Sequence, residues 1–153
     1  AMNLPNVYTP QLVINGCDEF LGSHEQTAAD IVRREMRRPA QASILPQINW
    51  PEDDGLIHVR CELDGITPDH VVNIAVVERG LSNDVDAGEN KGRKLTHDNV
   101  VRAFAVISPQ QATTGIKIKV PDDMDRDKTE VIVYVQNRIT MAIVGATAVS
   151  TNE

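Results

Sequence analysis

The groups in this chain able to do chemistry are two thiols, four imidazoles and several clusters of charged side chains. His97 and Asp98 stand side by side, with Arg102 just beyond them. A histidine beside a carboxylate has the makings of a general base or a metal ligand. No nucleophile or second ligand lies close to it in sequence, and His24, His58 and His70 are scattered without ligand spacing. The pair reads better as an anchor, because one imidazole can bond two backbone groups and so hold the end of a long loop. Cys17 and Cys61 are too far apart for a C-x-x-C pair and too few for a disulfide framework. A bridge between them in an oxidising compartment would stabilise by about 3 kcal/mol or more. Against it, Cys61 alternates with Ile57, Val59 and Leu63 on an inward face, where a thiol behaves as a small hydrophobe. Cys17 lies next to a turn and is the candidate reactive thiol.

Two acidic runs invite a calcium reading, Asp84-x-Asp86-x-Gly88-Glu89 and Asp123-x-Asp125-x-Asp127. The first lacks the spaced carboxylate that closes an EF-hand loop; in the second Lys128 replaces the glycine and Tyr134 the closing acid. Both are solvated turns on this reading, Lys91, Arg93 and Lys94 are surface charges, and no catalytic residue, metal or cofactor is expected.

The elements that must position these groups follow from pattern. Gln11 to Ile14 reads as a strand, Asn15-Gly16 as a type I′ hairpin turn, and Cys17 to Leu21 as the return strand. Ser23 and Gln26 stand at capping-box spacing, so a helix runs from about His24 to Arg38, with Ala28, Ile31, Val32 and Met36 as its apolar stripe and Pro39 as its stop. Residues 39–55 are a linker rich in Pro, Ala, Gln and Ser. Beyond it, period-two apolar runs predict strands at Leu56 to Leu63, Val71 to Val77, Val100 to Ile107, Ile116 to Val120, Val131 to Val135 and Ile139 to Val149, the last interrupted at Gly145, with turns and no helix between them. Between Leu81 and Asn99, Gly80, Gly88 and Gly92 permit positive φ and the intervening charges must stay in water, so this stretch is a long loop feeding the Val100 strand. The fold class is mainly β: an immunoglobulin-like antiparallel sandwich over residues 56–153, preceded by a ββα unit over residues 1–38.

Composition sets further bounds. At 153 residues the chain can bury a real core, and with aromatics at 3 % that core must be aliphatic. A net charge of −7 from 22 acidic and 15 basic side chains disfavours nucleic acid and anionic membranes, which need a basic surface. No apolar run is long enough to span a bilayer. The ββα unit alone buries too little to offset its chain entropy, and the edge of Gln11 to Ile14 stays open; it needs a protein partner, the sandwich of the same chain or a second copy in a homodimer.

Three stretches carry a family resemblance: VYTPQLVINGCDEFLGS, GLSNDVDAGENKGRKLTHDNVVRAF and VIVYVQNRITMAIVGATAV. Together they resemble the secreted bacterial proteins of domain-of-unknown-function family 1223. The second holds the most specific set, Gly88, Glu89, Asn90, Gly92, His97, Asp98 and Arg102. The resemblance implies a thioredoxin-like domain followed by a C-terminal β-sandwich, with Thr9-Pro10 at the thioredoxin cis-proline position, where backbone is presented to a bound peptide or thiol. It covers the C-terminal portion of such proteins, without the upstream half and its Cys-rich turn, and Cys17 is a departure from the family pattern. It also implies a periplasmic or secreted location. The function expected is a non-catalytic binding or structural module; thiol-disulfide oxidoreductase activity is the alternative, in a longer form supplying the upstream cysteines.

Overall fold

Period-two runs of Val and Ile dominate the chain after residue 55, and in the computed structural model, which describes residues 10–51 and 55–151, they form two antiparallel sheets face to face. The elements in order are β1 (Gln11–Ile14), β2 (Asp18–Leu21), α1 (Glu25–Met36), β3 (Ser43–Asn49), β4 (Leu56–Asp64), β5 (His70–Glu78), β6 (Leu81–Asp84), β7 (Lys94–His97), β8 (Val100–Ile107), α2 (Pro109–Thr114), β9 (Ile116–Lys119), a 3₁₀ turn (Arg126–Lys128), β10 (Thr129–Asn137) and β11 (Ile143–Ser150). One sheet has the order β11-β10-β5-β8 and the other β3-β4-β9, while β1-β2 and β6-β7 are separate hairpins.

The core lies between the two large sheets. Ile57, Val59 and Cys61 of β4 face Val72, Ile74 and Val76 of β5 and Val131, Val133 and Val135 of β10, and Ile118 and Ala112 close the ends. Alternation along each strand puts these side chains on one face, as expected for strands half exposed to water. β5, central in its sheet, is covered on both faces. Arg126 ties the rim together, lying 4.3 Å over the Trp50 ring and donating to the Trp50 and Pro51 carbonyls at 2.7 and 2.8 Å.

Several expectations need correction. Residues 39–55 hold a strand, β3, hidden by its composition: Ile44, Pro46 and Ile48 alternate inward, and Pro46 is tolerated because β3 is an edge strand whose missing N–H costs no ladder bond. Leu81 to Asn99 is a hairpin rather than a continuous loop, with β6 and β7 paired from Leu81–His97 to Asp84–Lys94. The connection after β8 is the short helix α2, started by a capping box in which Ser108 Oγ accepts from the Gln111 amide and the Gln111 side chain accepts from the Ser108 amide, with Pro109 in the first turn. The same spacing at Ser23 and Gln26 makes no such box: His24 takes the N-cap position without a side-chain cap bond, and Gln26 bonds Asp30 instead. β11 starts at Ile143, not Ile139, because the Asn137 carboxamide accepts from the amides of residues 139 and 140 and Met141 takes φ +66°, closing a turn that leaves Ile139 in solvent. β11 runs continuously through Gly145, but its register with β10 slips beside it: Val135 pairs with Gly145 and Gln136 with Ile143, leaving Val144 as a bulge.

In the first hairpin Asn15 and Gly16 adopt the expected positive φ, but Cys17 belongs to the turn rather than the strand. The helix stripe is poorly covered. Ala28 and Ile31 are half-buried, Val32 and Met36 are 43 % and 81 % exposed, and no residue of α1 is fully buried. What holds α1 to the hairpin is polar: Arg34 bonds Asp18, and the Asn15 amide donates to Glu35 at 3.2 Å.

Candidate functional site

The hairpin, the end of α1 and β11 enclose the first candidate, a cleft of about 530 Å³. Its polar lining includes Asn15, Cys17, Glu35, Arg38, His70, Asn137 and Thr140, from segments far apart in the chain. The two parts meet there because Gly16, at φ +73°, lets the turn approach the Met141 carbonyl so closely that an added Cβ would sit 2.0 Å from its oxygen; the Ile143 amide then donates to the Asn15 carbonyl at 2.9 Å. The Glu35 carboxyl is held below its ordinary range, chiefly by the Asn15 amide and then by Arg34, so the cleft carries a fixed negative charge beside Arg38. His70, 7 % exposed, accepts the Thr67 amide on Nδ1 at 3.1 Å, which leaves its ring proton on Nε2. The Cys17 thiol is exposed and lies 4.0 Å from the Thr140 carbonyl, an acceptor for its S–H and no base. Activation of a thiol requires a cation, a helix N-terminus or a base in hydrogen-bond reach. The arrangement can bind a polar group.

Cys61 is also free, and it is buried in the core, where loss of solvent pushes its thiol up to about 11. The two cysteines form no disulfide. Pro10 is exposed at the start of β1, with its carbonyl accepting the Gly22 amide at 2.8 Å; Thr9 lies outside the described residues.

The most specific sequence set divides between two places. Gly88, Glu89, Asn90 and Gly92 build the tip of the β6–β7 hairpin: the Lys91 amide bonds the Gly88 carbonyl, the Gly92 amide the Val85 carbonyl, and the Asn90 side chain accepts from Arg93 at 3.3 Å. At its base His97 Nε2 lies 2.5 Å from Asn83 Oδ1, and Asp98 Oδ1 accepts the Gly80 amide at 2.9 Å. Histidine therefore anchors the stretch through a side-chain partner, and the backbone bond falls to Asp98. Arg102 is elsewhere. A bulge where β8 departs from register with Val76 and Val77 turns it toward Glu78 and Asp123, the latter at 2.5 Å. Glu78 is 2 % exposed, and its other oxygen accepts the Asp125 amide at 3.1 Å.

The partners of these residues were not legible beforehand. Glu35, His70 and Asn137 around Cys17, and Glu78 and Asp123 around Arg102, come from segments distant in sequence; the available signal was an acid ending the mostly apolar β5. Among the described residues, no three His, Cys, Asp or Glu side chains group to hold a metal ion, and no helix is long and apolar enough to cross a membrane.

Fold and site thus define an antiparallel β protein of two packed sheets with a ββα unit clamped to one end. The chain belongs to the family described as "Protein of unknown function (DUF1223)", which matches residues 1–136. It is similar in fold to the X-ray crystal structure of a protein from Agrobacterium tumefaciens, with a TM-score of 0.50 and 18 % sequence identity over 97 % of this chain. The chain spans 64 % of that protein's length. No functionally curated protein matches it.

Proposed function

We propose that this chain is a non-catalytic binding and structural module of an exported thioredoxin-like protein. On this reading β1, β2 and α1 are the closing ββα piece of a thioredoxin-like layer, with Thr9-Pro10 at its peptide-facing proline, and the two-sheet unit is the immunoglobulin-like sandwich that carries it. The distribution of the seven sandwich strands supports the second assignment. The first, second and fifth (β3, β4, β9) make one sheet and the third, fourth, sixth and seventh (β5, β8, β10, β11) the other, which differs from an antibody constant domain only in the sheet taken by the fourth strand.

One observation carries the functional reading: the ββα unit leaves apolar side chains exposed. Leu12 and Val13, on opposite faces of β1, are 39 % and 44 % exposed, alongside Val32 and Met36 of α1. A layer in this condition gains by burying these side chains against protein, at about 25 cal/mol for each Å² removed from water. The partner is a protein surface or a second copy at the open hairpin edge, and the net charge of −7 argues against nucleic acid. The family resemblance supports a periplasmic or secreted location. The exposure of Cys17 favours a second reading, thiol-disulfide oxidoreductase activity in a longer form with an upstream Cys pair. Insulin reduction driven by dithiothreitol separates the two: no turnover above background is expected from this chain, and turnover abolished by Cys17→Ser would refute the binding-module reading.

A further inference from the structure

Four edges bound the two large sheets, and three of them are guarded. β3 carries Pro46, β9 is four residues long with Lys117 and Lys119 exposed, and the free edge of β11 is occupied where the Val144 carbonyl accepts the amides of Gln41 and Ala42 at 2.8 and 3.1 Å. β8 carries a bulge at Arg102, but beyond it, from Ala103 to Ile107, it has no such device. Among the described residues its backbone pairs with β5 alone. Its one charge, Arg102, is drawn aside by the bulge and held by Glu78 and Asp123. From Ala103 to Ile107 the strand is regular, uncharged and free of proline, with Phe104 and Val106 51 % and 57 % exposed. Beside Val106 in the ladder stands Asn73, 3 % exposed, whose side-chain amide nitrogen is buried without a hydrogen-bond partner. A long neutral edge flanked by an apolar face is the surface most prone to accept another strand.

We propose that β8 pairs antiparallel with β8 of a second copy of this chain, about a two-fold axis at Phe104, joining two four-stranded sheets into one of eight. The strand is self-complementary in this register. Residues directly opposite each other in an antiparallel pair lie on the same face, so a centre at Phe104 keeps outward residues opposite outward ones over 103–105, the regular span both strands share, and a slip by one would oppose exposed to buried positions. Phe104 then meets Phe104 and Ala103 meets Ala105; the bulge at Arg102 ends the regular pairing beyond them, and since Arg102 is the strand's one charge no like charges face each other despite the overall charge of −7. The contact lies on the four-stranded sheet, away from the hairpin, and its test is independent of the reading above.

Sedimentation velocity on the full chain with Cys17→Ser tests it, alongside Phe104→Lys and Val13→Lys in the same background. The dimer is expected to form, to survive Val13→Lys and to be lost in Phe104→Lys with an unchanged circular dichroism spectrum. Because opposed Cα atoms sit about 4.5–5.5 Å apart, within disulfide range, Phe104→Cys should cross-link under mild oxidation, and Leu45→Cys, exposed on β3, should not. A monomer at all concentrations, a dimer that withstands Phe104→Lys, or cross-linking through Leu45→Cys would each overturn the proposal. Loss of the dimer in Val13→Lys with retention in Phe104→Lys would move the contact to the hairpin.

Discussion

Replacement of Arg102 by methionine tests the account of the bulge most directly. Methionine keeps most of the apolar stem and removes the guanidinium. Glu78, 2 % exposed, would be left with the Asp125 amide as its remaining donor and the exposed Lys128 as its nearby positive charge, a carboxylate held away from water without a bonded counter-ion. Removing one partner of a buried pair costs about 3–5 kcal/mol, because the other charge stays desolvated. For a chain of this size that lowers the melting temperature by roughly 10 °C or more. Asp123, the other partner of Arg102, has a side chain 78 % exposed, so Asp123→Ala should change stability by no more than about 1 kcal/mol. The pair Glu78→Gln with Arg102→Met removes both charges together and should recover much of the loss. Urea unfolding of the four proteins gives the coupling energy, expected at about 2 kcal/mol or more. A cost below about 1 kcal/mol for Arg102→Met, or additive effects in the cycle, would refute a desolvated pair at this position.

Two further outcomes follow from particular residues. Gly145 is buried against the Ala42 backbone, where an added Cβ would lie 2.3 Å from the carbonyl oxygen; Gly145→Ala should force β11 from residues 41–42 and cost about 2–4 kcal/mol in urea unfolding through overpacking and weakened bonds to Val144. Cys61 should escape a thiol reagent at pH 8 in the native protein, which titrates one thiol, and appear as the second on denaturation. Since its folded thiol is raised from 9.0 to about 11, stability is unaffected below the unfolded value and falls between about pH 9 and 11, where only the unfolded thiol ionises; at about 1.4 kcal/mol per unit the loss approaches 3 kcal/mol, and Cys61→Ala should abolish that pH dependence.

Local pattern and tertiary context contributed differently. Strands β4, β5, β8, β9 and β10, the first hairpin turn and the span of α1 were legible because burial on one sheet face imposes period two and because Asn-Gly tolerates positive φ wherever it stands. The family resemblance rested on equally local runs. β3 was obscured since proline and glutamine break the pattern, and only its place at a sheet edge makes Pro46 acceptable. The β6–β7 pairing was obscured because polar strands carry no hydrophobic signal. Of two identical capping spacings one forms and one does not: Ser108 stands at the N-cap with Pro109 behind it, whereas α1 starts at Glu25, one residue too late for Ser23 to cap it.

The site depended on contacts the linear order does not contain. Cys17 was a visible thiol, but the cleft around it needs Glu35 from α1, His70 from β5 and Thr140 from the last turn, brought together by the close approach at Gly16. Arg102 was a visible charge, and the bulge that buries it against Glu78 arises from the pairing of β8 with β5. Amino-acid order determined which segments extend, which coil and which face of each is apolar, since those follow from side chains a few positions apart. Which faces meet, which edges remain open and which charges find partners was decided by long-range packing, where burial of the shared aliphatic core outweighs every local preference.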